Sequence, residues 1–292
     1  MASLKEVRNR IVSVNSTQQI TKAMKMVSAA KLRRAQDAIH QMRPYAKKLA
    51  EMIATVSAQS EAGAENPFTE VREIKNALII VVTSDRGLCG AFNANVGKAT
   101  MALVQEKYAH LQATGNVEVL SLGKKGAEYL ARRGYKVNDA HTDIFTRLNF
   151  SNVREIGEAV LKSFTEKQYD VVEILFNFSK NVATQFIQTE QLLPLVASET
   201  GEKASSVDYI FEPTEEEIIS ELIPKSIKLS IFRALLESNS SEHGARMTAM
   251  DKATENAGEL IKALKLEYNR SRQAAITKEI LEIVGGAEAL SA

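Results

Sequence analysis

The chain has 292 residues, room for one large domain or two small ones, and its apolar (45%) and charged (25%) fractions are those of an ordinary globular protein. No run of about 18 apolar residues occurs, which argues against a membrane-spanning helix, and the single cysteine, Cys89, excludes an internal disulfide and fits a reducing compartment. A net charge of +1 conceals an asymmetry, because residues 1–50 carry 11 Lys/Arg against 2 Asp/Glu and residues 207–292 carry 10 against 15; the two ends can pair with each other, or the first can face an acidic partner.

The first segment, 1–58, reads as one long helix. Its start, MASLKEVRNRIVSV, lacks an apolar block followed by a cleavage site and merges into the helical pattern, so neither a signal nor a transit peptide is expected. Residues 3–58 hold one proline, Pro44, and no glycine. Apolar residues recur at 3-4 spacing at Leu4, Val7, Ile11 and Val14, then at Leu32, Ala35, Ile39, Met42, Ala46, Leu49, Ile53 and Val56. That is a coiled-coil seam. Between the two runs the same phase lands on Gln18, Thr21, Lys25 and Ser28, whereas the apolar residues stand at Ile20, Met24 and Val27. The stripe is therefore expected to shift onto those three on a nearly straight helix with little supercoil. Pro44 is expected to bend the helix. The basic residues Lys22, Lys25, Lys31, Arg33 and Arg34 are interleaved with Ala23, Ser28, Ala29, Ala30 and Ala35. Such small side chains keep a helix smooth where another surface comes close. Ser57–Pro67 is a polar linker.

Residues 76–211 alternate strand and helix. Asn76–Ser84 is an almost continuous apolar run, as for a strand buried on both faces. A helix over Asn93–His110, a strand over Val117–Leu122, a helix over Lys124–Arg133 and a weaker strand over Tyr135–Asp143 follow. Then come a helix over Val153–Lys167 and strands over Asp170–Phe178 and Thr184–Leu195. The order predicts an open α/β sheet of Rossmann-like type. The turn after the first strand, SDRGLCG, raises the question of a phosphate site. A P-loop needs Ser or Thr after Gly-Lys, but Ala99 follows Gly97-Lys98; the dinucleotide fingerprint needs a glycine where Cys89 stands. The turn reads as structural, with Asp85 or Asn93 capping the helix that follows. Cys89 has no evident base beside it, and His40, His110, His141 and His243 are too scattered for a metal-ligand spacing. Neither a cofactor nor a metal is expected.

Residues 214–290 return to helix. A short helix over Glu215–Leu222 is expected to stop at Pro224. Beyond it one stripe runs through Met247, Met250, Thr254, Ala257, Ile261, Leu264, Tyr268, Ser271 and Ala275. At about 1.5 Å per residue, a helix over Ser226–Val284 spans roughly 87 Å and the first helix roughly 80 Å. A domain of this size is only about 40 Å across. Each long helix has an apolar stripe to bury, and both leave the same α/β segment, so a long antiparallel coiled coil standing clear of that segment is expected. In Ala274–Val284, the residues Ile276, Ile280, Leu281, Ile283 and Val284 cover much of the circumference, which points to burial in a partner's cavity, the alternatives being a local dimer contact or a frayed end.

The stretches ITKAMKMVSAAKLRRAQ (Ile20–Gln36), TSDRGLCGAFN (Thr83–Asn93), SEHGARMTAMDKATENA (Ser241–Ala257) and YNRSRQAAITKEILEIVGGA (Tyr268–Ala287) resemble the gamma subunit of F-type ATP synthase, of the bacterial type, over the whole chain. The terminal piece is similar to the family signature I-T-x-E-x-x-E-x-x-x-G-A at Ile276, Thr277, Glu279, Glu282, Gly286 and Ala287. The resemblance implies a rotor without catalytic residues of its own. It would be the central stalk, coupling proton-driven rotation to ATP synthesis or hydrolysis at the beta subunits of an alpha–beta ring and supporting assembly of the complex. The epsilon subunit and the membrane c-ring would be further partners. Position by position, Lys22, Met24, Lys25, Arg246, Arg272, Gln273, Thr277 and Glu279 would meet beta, and Ile280, Leu281, Ile283 and Val284 would sit in an apolar sleeve of the ring. The chain would be a peripheral protein on the cytoplasmic face of the inner membrane. The competing readings are a nucleotide-dependent enzyme using the α/β segment and a basic coiled-coil binder of nucleic acid; no nucleic-acid partner is expected, since interleaved aromatics and a known module are missing.

Overall fold

A computed structural model describes residues 4–59, 67–179, 184–195 and 215–291. Along them run helix α1 (Leu4–Gln59), strand β1 (Ala77–Val82), α2 (Phe92–Lys107), the short α3 (Ala109–Ala113), β2 (Val117–Leu122), α4 (Lys124–Ala131) and β3 (Lys136–Asn138). A 3-10 turn at Ile144–Arg147, α5 (Phe150–Thr165), β4 (Val171–Ser179), β5 (Gln185–Leu193) and α6 (Glu215–Ser291) complete them. The mixed α/β class with long terminal helices is the one expected. Residues 60–66 of the expected linker, and 196–211 of the α/β segment, lie outside the described residues. The chain forms two compact units, Ala29–Arg246, and Met1–Ser28 with Met247–Ala292.

In the Ala29–Arg246 unit the strands, among the described residues, form one sheet in the order β3-β2-β1-β4-β5. β1 is parallel to both β2 and β4 and buried throughout, which is why it reads as an unbroken apolar run. The pleat sends Leu78, Ile80 and Val82 to a core shared with α5 and α6, and Ala77, Ile79 and Val81 to a core shared with α2 and α4. β5 closes one edge antiparallel to β4. The strand expected over Tyr135–Asp143 shrinks to three residues at the other edge, with Lys136 and Asn138 exposed and little apolar burial to hold a longer pairing. The helix expected over Asn93–His110 ends at Lys107, because Tyr108 leaves helical geometry at φ −126° while its ring is buried on the sheet. At the opposite rim of the sheet the Asp170 Oδ2 accepts from the backbone N–H groups of Lys75 and Asn76 at 2.9 and 3.0 Å, tying the entrances of β1 and β4 together.

Pro224 does not end a helix: α6 runs through it. A proline inside a helix costs about 3 kcal/mol in lost hydrogen bonding and steric clash. Against that, Ile223, Ile227 and Ile231 on the same face are buried in the sheet core, each contributing about 1.5–3 kcal/mol. Burial wins over the local signal. α1 passes through Pro44 in the same way, and its Ile39, Met42 and Leu49 pack with Leu229 and Leu236 of α6.

In the other unit, α1 and α6 run antiparallel, since Gln18 pairs with Thr254 while Lys25 pairs with Asp251. The expected stripe on α6 is the buried or half-buried one from Met247 to Ser271, with Met250, Ala257 and Leu264 innermost. On α1 the seam does not shift. Ile20 and Val27 are 59% and 56% exposed, whereas Thr21 and Ser28 are 9% and 3% exposed. The heptad phase set by Leu4, Val7, Ile11 and Val14 carries on through Gln18, Thr21, Lys25 and Ser28, so burial recurs every 3.5 residues, the spacing of a supercoiled pair. Polar side chains are tolerated there because they find partners across the seam. Gln18 Nε2 donates to the Thr254 carbonyl at 3.2 Å, Thr254 Oγ1 to Thr21 Oγ1 at 2.8 Å, and Lys25 Nζ meets Asp251 at 2.5 Å.

Candidate functional site: a filled crevice and an open helix end

In a sheet of this order, ligands bind outside the carboxyl ends of the strands, where the connections diverge to either side. Here that place lies beyond β1 and β4. The turn after β1 is built by its own side chains. Ser84 N–H donates to Asn93 Oδ1 at 2.9 Å, the Ser84 hydroxyl to the Arg86 carbonyl at 2.7 Å, and Asn93 Nδ2 to Cys89 Sγ at 3.3 Å. Asn93 therefore ties the strand end to the turn instead of capping α2, whose N-cap, Ala91, receives no side-chain bond. Asp85 reaches another helix, accepting from Lys124 N–H at the start of α4 at 3.4 Å. The left-handed positions are Leu88 (φ 66°) and Gly90 (φ 61°). Leu88 is a rare occupant of that region, and its side chain is 65% exposed.

The crevice itself holds a piece of α6. Ser238, Ser240, Ser241, Glu242 and Arg246 are all buried. The Ser241 hydroxyl donates to the Asn177 carbonyl at the end of β4 at 3.1 Å and lies 2.6 Å from the Ser179 hydroxyl, while Gln185 Nε2 donates to the Ser241 carbonyl at 2.9 Å. Arg246 Nη2 donates to the carbonyls of Arg86 and Gly87 at 3.0 and 3.2 Å, and its Nη1 donates to Glu242. A phosphate cradle turns backbone N–H groups toward an anion. This turn offers carbonyl oxygens to a cation, the opposite polarity. That geometry explains why the glycines of SDRGLCG do not form a nucleotide fingerprint.

The titrating groups follow from this packing. Burial pushes Glu242 above the usual carboxylate range, with Arg246 pulling it back. Burial, reinforced by Arg246 and Lys31, lowers His243 to about 4. Burial likewise raises the Cys89 thiol, so the buried sulfur stays protonated and a poor nucleophile. Among the described residues no group of three His, Cys, Asp or Glu is placed to hold a metal ion.

Of the residues singled out in the sequence, the structure brings Arg246 into the crevice and Lys25 into the seam with Asp251. Lys22 is exposed and Met24 half-buried. Arg272, Gln273, Thr277 and Glu279 are exposed, as are Ile280 (54%), Leu281 (66%), Ile283 (66%) and Val284 (50%). Every residue from Arg272 to Ala287 is exposed although α6 stays helical to Ser291. Among the described residues the seam reaches no further than Ser271, which is half-buried. The crevice filling went unread in the sequence. Its signal is the Ser-rich run ESNSSEHGAR (Glu237–Arg246), which interrupts the apolar stripe of α6 and marks close contact with a hydrogen-bonding surface.

Fold and site together define a mixed α/β coiled-coil protein that fills its own ligand crevice and leaves one helix end bare. The family model for ATP synthase matches residues 3–290. The chain is 60% identical over 294 residues, 100% of both sequences, to the ATP synthase gamma chain of Cytophaga hutchinsonii. It is 53% identical over 291 residues, again 100% of both, to that of Flavobacterium johnsoniae. The chain belongs to the ATP synthase gamma chain family. Its fold is similar to that of a chain in the Euglena gracilis mitochondrial ATP synthase, with TM-score 0.64 at 20% identity over 98% of this chain and 94% of that one. A chain of the Tetrahymena thermophila mitochondrial central stalk and c-ring gives TM-score 0.58 at 24% identity over 80% and 99%. No helix among the described residues is long and apolar enough to cross a membrane.

Proposed function

We propose that the chain is the central-stalk rotor subunit of a proton-translocating ATP synthase. It couples rotation to ATP synthesis or hydrolysis at the beta subunits of the alpha–beta ring, and it contributes no catalytic residues itself. The observation that carries this reading is the bare helix end, an apolar surface from Ile276 to Val284 that the described chain leaves in water. A helix face this apolar is expected to be covered by a partner. Ile280, Leu281, Ile283 and Val284 occupy an apolar sleeve of the ring. Arg272, Gln273, Thr277 and Glu279 engage beta from the polar side of the same turns. Lys22, Met24 and Lys25 face beta from α1, and Arg246 acts at that boundary through the turn it holds.

Coupling requires each shaft angle to have a different contact energy with the ring. Exposed charge pairs give at most about 1 kcal/mol each. Many such weak contacts allow rotation where one strong bond would arrest it. The epsilon subunit and the c-ring bind the α/β unit, and the protein is peripheral, on the cytoplasmic face of the bacterial inner membrane through the complex. No cofactor or nucleic acid takes part. Reconstitution with alpha and beta subunits is the direct test. ATP-driven rotation of a bead fixed to the chain is expected, and assembled rings that hydrolyse ATP without turning it refute the reading.

A further inference from the structure

We propose that Arg246 is a positioning residue, a latch that closes the turn Ser84–Gly90 onto α6 and makes the α/β layer follow that helix. Three features of the Ala29–Arg246 unit lead there. First, the guanidinium grips the turn by its main chain: one nitrogen donates to two successive carbonyls, those of Arg86 and Gly87. Main-chain grip fixes the path of the turn whatever its side chains do. Second, the other side of the guanidinium is anchored. Nη1 is held by the buried Glu242 one helical turn back and lies 3.4 Å from His243 Nδ1. The same stretch of α6 is pinned to β4 through Ser241, Asn177 and Ser179. Third, the turn is under conformational tension that something must hold. Leu88 adopts a left-handed backbone that a branched side chain disfavours, with its bulk in water and not packed to compensate.

A planar fork spanning a carboxylate on one side and two carbonyls on the other is what arginine supplies and lysine cannot. The latch stands on this geometry alone; its mechanical consequence, that twist in α6 reaches the sheet through the turn, rests on the rotor reading above.

Cys89 provides the probe. It is the only cysteine in the chain, 2% exposed beneath the closed turn, and its thiol is within reach of a reagent only when the turn opens. In the full-length chain, Arg246→Gln is expected to speed maleimide labelling of Cys89 at least about tenfold beyond what the accompanying fall in global stability accounts for. Arg246→Lys keeps the charge but not the fork and is expected to label faster than the parent as well. Protection unchanged in Arg246→Gln, or fully restored by Arg246→Lys, overturns the latch. So does a rise no larger than the loss of global stability accounts for. In reconstituted complexes, Arg246→Gln with an opened turn is expected to lower proton pumping per ATP hydrolysed. Full coupling with the turn open overturns the mechanical consequence. A parent chain that never couples condemns the rotor reading and leaves the labelling result standing.

Discussion

His243 is half-buried, drawn away from water, and feels the positive charges of Arg246 and Lys31, so its imidazole is neutral where most histidines begin to titrate. Its folded-state pKa of about 4 lies below the ordinary 6.5. The unfolded chain therefore binds the proton first, and stability contributed by the neutral ring is present above about 6.5 and lost as pH falls toward about 4. His243→Gln is expected to flatten the dependence of the urea midpoint on pH across that window. Glu242 works in the opposite sense, since burial raises its pKa and its contribution falls as pH rises, so the slope should steepen in Glu242→Gln. The roles of single residues were the least legible part of the sequence. Asp85 and Asn93 are both competent caps, and which N–H they meet is decided by α4 and Ser84, elements that no local pattern brings near. Arg246 carries no local mark of burial; only its place after a Ser- and Glu-rich stretch hints that its charge has partners.

At the scale of elements, tertiary burial overrules local preference twice. Pro224 fails to break α6 because the isoleucines around it complete the sheet core, and Ile20 and Val27 fail to enter the seam because the heptad phase is already set. The helices, the parallel strands and the antiparallel pairing were legible, since their periodicities of 3.5 and 2 and their long apolar runs are strong signals. The edge strand β3 and the polar seam were not, because one has almost no periodicity and the other contradicts it. The seam makes a specific prediction. Replacing Thr21 and Thr254 together by valine removes a hydroxyl pair and adds apolar burial at a coiled-coil position, where polar residues cost stability. The double variant is expected to melt a few degrees higher than the parent, and Thr21→Val alone close to it, because the Thr254 hydroxyl also bonds the Met250 carbonyl. Differential scanning calorimetry separates the two.

For the whole molecule, the four sequence stretches that carry the family resemblance were enough to read class and fold, since they span both terminal helices and the first turn of the sheet. What they could not convey is where the chain fills itself and where it stays bare. Met24 is half-buried on α1, next to exposed Lys22. Met24→Lys is expected to lower proton pumping per ATP hydrolysed severalfold while shifting the melting temperature by no more than a degree or two; a large fall in melting with coupling preserved would make Met24 core. Removing Ile283–Ala292 is expected to leave partial rotation, because the exposed turns from Arg272 remain for the ring contacts proposed above, and rotation assays on the truncated chain measure what survives. The division of the sheet core has a further consequence, for the ribosome. One face of the sheet is finished by Ile223, Ile227, Ile231, Ala234 and Leu235, which follow the last strand in the chain. A nascent chain that has emerged only through β5 has α5 on that face but not yet the isoleucines of α6, so part of the core stays open until the start of α6 is delivered.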